Sequence, residues 1–90
     1  MYGKILIIGG YGGVGRALVE SLVRYYAAEV FIGGRNKEKG LGLKEAIQRK
    51  YPEAILHYRQ VDAADRKSLE HNFQDVDLAI VTAPFRIRSV

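Results

Sequence analysis

Ninety residues, 48% hydrophobic and 27% charged with only two prolines, describe one ordinary globular domain and exclude a disordered or low-complexity chain. The absence of cysteine excludes a disulfide framework and a thiolate metal site. The formal net charge of +4 is spread over scattered basic residues with no aromatic interleaving, which argues against a nucleic-acid surface and suits a small polyanionic ligand.

Lys4-Ile5-Leu6-Ile7-Ile8 is a short apolar run closed by glycines, the pattern of a parallel strand buried on both faces. It is too short for a signal segment or a spanning helix, so the cytoplasm is the default expectation. From Gly13 to Tyr26, Val14, Ala17, Leu18, Leu22 and Tyr25 recur at helical spacing opposite a charged row of Arg16, Glu20 and Arg24. Glu29-Val30-Phe31-Ile32 is a second strand ending at Gly33-Gly34, and Asn36 is placed to cap a helix with Leu43, Ile47 and Tyr51 inward. Gly40 and Gly42 each cost roughly 1 kcal/mol relative to alanine, which predicts fraying or a late start near Gly40. Pro52 marks the end of that helix.

Ile55 to Val61 alternates less cleanly and predicts an edge strand. Asp65 can cap a short helix carrying Leu69 and Phe73, and Leu78-Ala79-Ile80-Val81 is a fourth strand running into Thr82-Ala83-Pro84. Strands alternating with helices predict an α/β fold with a doubly wound parallel sheet. Right-handed crossovers give the order 3-2-1-4, the N-terminal half of a Rossmann-type domain spanning 1–90.

Gly10-Tyr11-Gly12-Gly13-Val14-Gly15 matches G-x-G-x-x-G, and Gly9, Gly12 and Gly15 match the G-x-x-G-x-x-G variant. The pattern has physical meaning because it follows the first strand and opens a helix. The first glycines permit a tight turn, Gly12 admits a pyrophosphate to the backbone, and Gly15 lets the helix pack closely on the strand. Unpaired N–H groups and the positive dipole end then hold the anion. Arg16 is either a phosphate partner or a surface residue paired with Glu20.

About twenty positions past the last fingerprint glycine, an acid would favour NAD. Here Gly33, Gly34 and Arg35 carry no carboxylate, and a guanidinium fork suits a 2′-phosphate, so NADP is expected and NAD disfavoured. Asn36 can add a hydrogen bond to that phosphate, and Lys37 and Lys39 positive field. Asp62 stands where a carboxylate can accept from the adenine amino group, or where a turn needs an aspartate. Ala83 and Pro84 are expected to line the cofactor at the switch point between the first and fourth strands.

The run Ile7-Ile8-Gly9-Gly10-Tyr11-Gly12-Gly13-Val14-Gly15-Arg16, with Gly34-Arg35-Asn36, Val61-Asp62 and Thr82-Ala83-Pro84, resembles the NADP-binding domain of saccharopine dehydrogenase-like proteins. The resemblance covers nearly the whole chain and implies a pyridine-nucleotide oxidoreductase in which a larger second domain binds substrate. The alternative is a non-catalytic NADP(H)-sensing regulatory domain or subunit.

No catalytic residue is assigned. None of the six tyrosines has a lysine four positions later, as a Tyr-x-x-x-Lys dyad requires. The G-x-x-x-x-G-K-[ST] loop is also absent. His57 and His71 lack spaced partners, so no metal is expected. The dinucleotide is the expected partner, with nucleic acid and membrane excluded. An apolar β4 edge predicts either a homo-oligomer or a missing C-terminal substrate domain.

Overall fold

The computed structural model describes residues 3–9, 13–26 and 28–82. In chain order they form β1 (Lys4–Ile8), α1 (Gly13–Tyr25), β2 (Glu29–Gly34), α2 (Lys37–Lys50), β3 (Ile55–Gln60), α3 (Arg66–Phe73) and β4 (Leu78–Val81). The four strands are parallel in the order β3-β2-β1-β4, so the chain has the expected partial Rossmann-like α/β architecture.

Because side chains alternate along a strand, β1 feeds two cores. Ile7 joins Val30, Ile32 and Leu56 from the sheet with Val19 of α1 and Leu43 and Ile47 of α2. Leu6 and Ile8 join Phe31 and Val61 on the opposite face, where Leu69 of α3 and Val76 pack against them. Continuous apolar runs in β1 and β2 are therefore what a sheet covered on both faces requires.

α1 is seated differently from the expectation. Its inward stripe is Gly15, Leu18, Val19, Leu22 and Val23, the i, i+3, i+4, i+7, i+8 series, with Gly15 and Val19 buried. Val14 and Tyr25 are 75% and 68% exposed, since both lie on the flank of that stripe in the terminal turns. In α3, Phe73 is likewise exposed, and Asn72 turns inward with its amide donating to the Ser68 carbonyl at 2.7 Å.

The expected fraying of α2 at Gly40 does not occur. The helix starts at Lys37, the Asn36 side chain accepts from the Lys39 N–H at 3.1 Å, and the Gly40 N–H donates to the Asn36 carbonyl at 3.0 Å. Gly40 is buried, and the Tyr58 ring fills the space a side chain would need. Close packing thus offsets the backbone entropy lost by this glycine.

β3 is an edge strand, as its weaker alternation implied, and its Arg59 guanidinium lies 4.1 Å from the Phe31 ring centroid. At the other edge, Leu78 of β4 is 51% exposed. Asp77 ties β4 to the start of β1, accepting from the Lys4 N–H at 2.8 Å while its own N–H donates to the Lys4 carbonyl at 2.8 Å.

Candidate functional site

All described candidate residues lie at the carboxyl ends of the strands. β1 has its neighbours β2 and β4 on opposite sides, so the strand order reverses at β1, the place where folds of this kind have their switch point. Gly9 follows β1 with φ of 82°, a left-handed conformation that favours glycine. Its N–H donates to the Gly33 carbonyl at 2.8 Å, fastening the turn to the end of β2. Gly10, Tyr11 and Gly12 lie outside the described residues.

α1 then begins at Gly13, and a Cβ built there would meet nothing within 4 Å. No acidic residue occupies the first turn, so the helix itself places no carboxylate at the positive end of its dipole. The first N–H groups of a helix have no intrahelical acceptors, which makes this end fit for an anion. Gly15, two residues further, is buried, as close helix–strand packing requires.

At the end of β2, a Cβ on Gly33 would stand 3.0 Å from Leu6 Cδ1 and 3.2 Å from Val61 Cγ2. The Gly34 carbonyl accepts from two donors, the Tyr58 hydroxyl at 2.7 Å and the Val61 N–H at 3.1 Å. Arg35 follows, exposed and without an ion-pair partner among the described residues. With Asn36, Lys37 and Glu38 it lines a shallow depression.

Asp62 is held in a turn: its carboxylate accepts from the Ala64 N–H at 2.9 Å, and its own N–H donates to Ser68 Oγ at 3.1 Å. These bonds hold Asp62 just past the end of β3. Thr82 adds a clamp the sequence did not single out, donating both its N–H, at 2.9 Å, and its hydroxyl, at 3.0 Å, to the Ile8 carbonyl. Ala83 and Pro84 lie outside the described residues.

Of the five ion pairs among the described residues, all away from this cluster, two shift the carboxyl they hold. Glu20 accepts from Lys50 at 2.5 Å and from the Tyr51 hydroxyl at 3.2 Å, and the Lys50 hydrogen bond holds its carboxyl below the usual range. Arg16 adds only field to that carboxylate. Arg59 pairs with Asp75 through both guanidinium NH groups, and this lowers Asp75 and raises Arg59. Among the described residues no three His, Asp or Glu side chains converge on a metal position, and no helix is long and apolar enough to cross a membrane.

Residues 3–84 match the KR domain family. The chain belongs to that family. It is of the short-chain dehydrogenase/reductase type, with the Rossmann-like sheet described above. Polyketide synthase PksN of Bacillus subtilis (strain 168) is 37% identical over 73 residues, covering 80% of this chain and 1% of that protein. Oxidoreductase fscI of Fusarium equiseti is 32% identical over 76 residues, 82% of this chain and 30% of that one. The crystal structure of YwfH, an NADPH-dependent reductase involved in bacilysin biosynthesis, superimposes with a TM-score of 0.74 at 26% identity, covering 82% of this chain and 31% of YwfH. The chain therefore spans less than a third of the length of each of these relatives.

The expected membership of a saccharopine dehydrogenase-like family, read from the glycine turn and the motifs at Gly34-Arg35-Asn36, Val61-Asp62 and Thr82-Ala83-Pro84, is not shown. Those features fall inside the segment matched by the KR domain, which is where the family membership lies.

Proposed function

We propose that this chain is the NADP(H)-holding half of an NADPH-dependent reductase of the KR type. The reading is carried by one pairing at the carboxyl end of the sheet. α1 opens with no carboxylate in its first turn, and Arg35 stands exposed where an acid would mark NAD. The family match and the NADPH dependence of YwfH support it.

In this reading the segment Gly9, Gly10, Tyr11, Gly12, Gly13, Val14 and Gly15 cradles the pyrophosphate through backbone N–H groups. The open space beside Gly13 fits an approaching phosphate. Arg35 and Asn36, aimed by the Gly34 peptide, hold the 2′-phosphate. Asp62 faces the adenine, and Ala83 and Pro84 line the crevice beside β1. When bound, the nicotinamide supplies the hydride. No residue of this chain is given the role of catalytic acid or base. The half-exposed Leu78 on β4 favours cover by further polypeptide, either a second copy or the remainder of a longer enzyme.

Titration calorimetry of the chain with NADPH and NADH tests the reading. A charge-assisted guanidinium–phosphate contact should make NADPH roughly 10- to 100-fold tighter, a margin that Arg35→Ala removes. NADH binding as tightly as NADPH would overturn the assignment of Arg35.

A further inference from the structure

We infer that Tyr58 is a positioning residue for the 2′-phosphate site, an inference that rests on the proposed role of Arg35. Tyr58 lies on β3 opposite Ile32, on the sheet face covered by α2. Its hydroxyl donates to the Gly34 carbonyl at 2.7 Å. That carbonyl belongs to the peptide unit leading into Arg35, and a peptide unit is planar, so fixing its oxygen orients the bond from which Arg35 departs.

The same side chain grips the far side of the turn. Its ring lies against Gly40, whose N–H donates to the Asn36 carbonyl at 3.0 Å. One tyrosine thus holds the chain just before Arg35 and just after Asn36. Arg35 has no ion-pair partner among the described residues, and this backbone anchorage sets the position and direction from which its side chain extends. An anchored turn loses less freedom when an anion binds, which is how a residue that never touches the ligand favours one dinucleotide over the other.

Tyr58→Phe separates this role from packing, because it keeps the ring on Gly40 and removes only the hydroxyl. The Gly34 carbonyl retains its bond from the Val61 N–H, so no buried acceptor is orphaned and the melting temperature should stay within a few degrees of the parent. Calorimetry should show NADPH affinity falling about 3- to 10-fold with NADH affinity within about twofold. The double variant with Arg35→Ala should bind NADPH no more weakly than Arg35→Ala alone, since both act on one contact. Gly40→Ala, which displaces the ring from its other side, should reproduce the selective loss. Equal losses for both cofactors, no loss for either, or additive effects in the double variant would overturn the inference. If Arg35→Ala abolishes the preference for NADPH while Tyr58→Phe leaves it intact, only the role of Tyr58 falls. If Arg35→Ala leaves the preference unchanged, the 2′-phosphate reading falls and this inference with it.

Discussion

The N–H of Gly9 donates to the carbonyl of Gly33 at 2.8 Å, so the first residue after β1 is bonded to the adjoining strand while its own backbone takes a φ of 82°. A side chain at Gly9 would put Cβ into the steric conflict that disfavours left-handed backbone for L-residues, at about 1–2 kcal/mol. Gly9→Ala should therefore lower the unfolding free energy by about 1–2 kcal/mol, seen as a lower urea midpoint at unchanged slope. A midpoint equal to the parent's would mean that the turn relaxes to negative φ without loss.

Gly13 should behave in the opposite way. A methyl group there meets nothing within 4 Å, and alanine is the better helix former, so Gly13→Ala should leave the fold as stable or up to about 1 kcal/mol more so. If a pyrophosphate approaches this turn, the added methyl obstructs it, and NADPH affinity measured by calorimetry should drop at least tenfold. Unchanged affinity would move the phosphate away from the start of α1.

Much of this arrangement was legible in the sequence because it depends on local rules. A glycine run between a strand and a helix, Asn36 and Asp65 as caps, and the absence of an acid at Arg35 are all readable from residue type and spacing. The two sides of β1 were legible too, since Leu6 with Ile8 and Ile5 with Ile7 obey simple alternation. What escaped were relationships between elements. Val14 and Ala17 have helical spacing yet lie exposed, because the orientation of α1 follows Gly15 and Val19, where the helix touches the sheet. Gly40 looked like a helix breaker, and Tyr58 and Thr82 like ordinary strand residues, because their roles appear only when β3 meets α2 and β4 meets β1.

The two glycines of α2 make this point testable. Gly40 is buried beneath the Tyr58 ring, whereas Gly42 faces open space in the same helix. Overpacking a filled site costs about 1–3 kcal/mol, against which alanine recovers about 1 kcal/mol of helix propensity. Gly40→Ala should thus destabilise by up to about 2 kcal/mol, and Gly42→Ala should stabilise by up to about 1 kcal/mol. Two equal shifts in the melting temperature would show that propensity alone governs α2.

Acid should loosen the link between β3 and the end of α3 through Asp75. The Arg59 guanidinium beside it holds the Asp75 carboxyl below its ordinary value of 3.8. The folded state therefore binds a proton less readily than the unfolded chain, so the pair contributes stability that is fully present above the ordinary aspartate range. That contribution is lost as pH falls through the lower folded value. Glu20, depressed by Lys50, contributes in the same direction. At the alkaline end the sign reverses for Lys50: Glu20 raises it above 10.5, so its share persists below that value and is lost as pH climbs past the folded one. The contributions are small because these side chains face solvent and salt screens them. Urea midpoints measured from about pH 7 down to about pH 2 should fall along the acid limb in the parent and fall less steeply in Asp75→Asn, where one of the two depressed carboxylates is gone. Raising the ionic strength should shrink the difference between the two curves. Parallel acid limbs at low salt would mean that Arg59 and Asp75 are not held together in solution, and that the packing of Leu69 and Val76 and the Ser68 hydrogen bond keep α3 on the sheet without them.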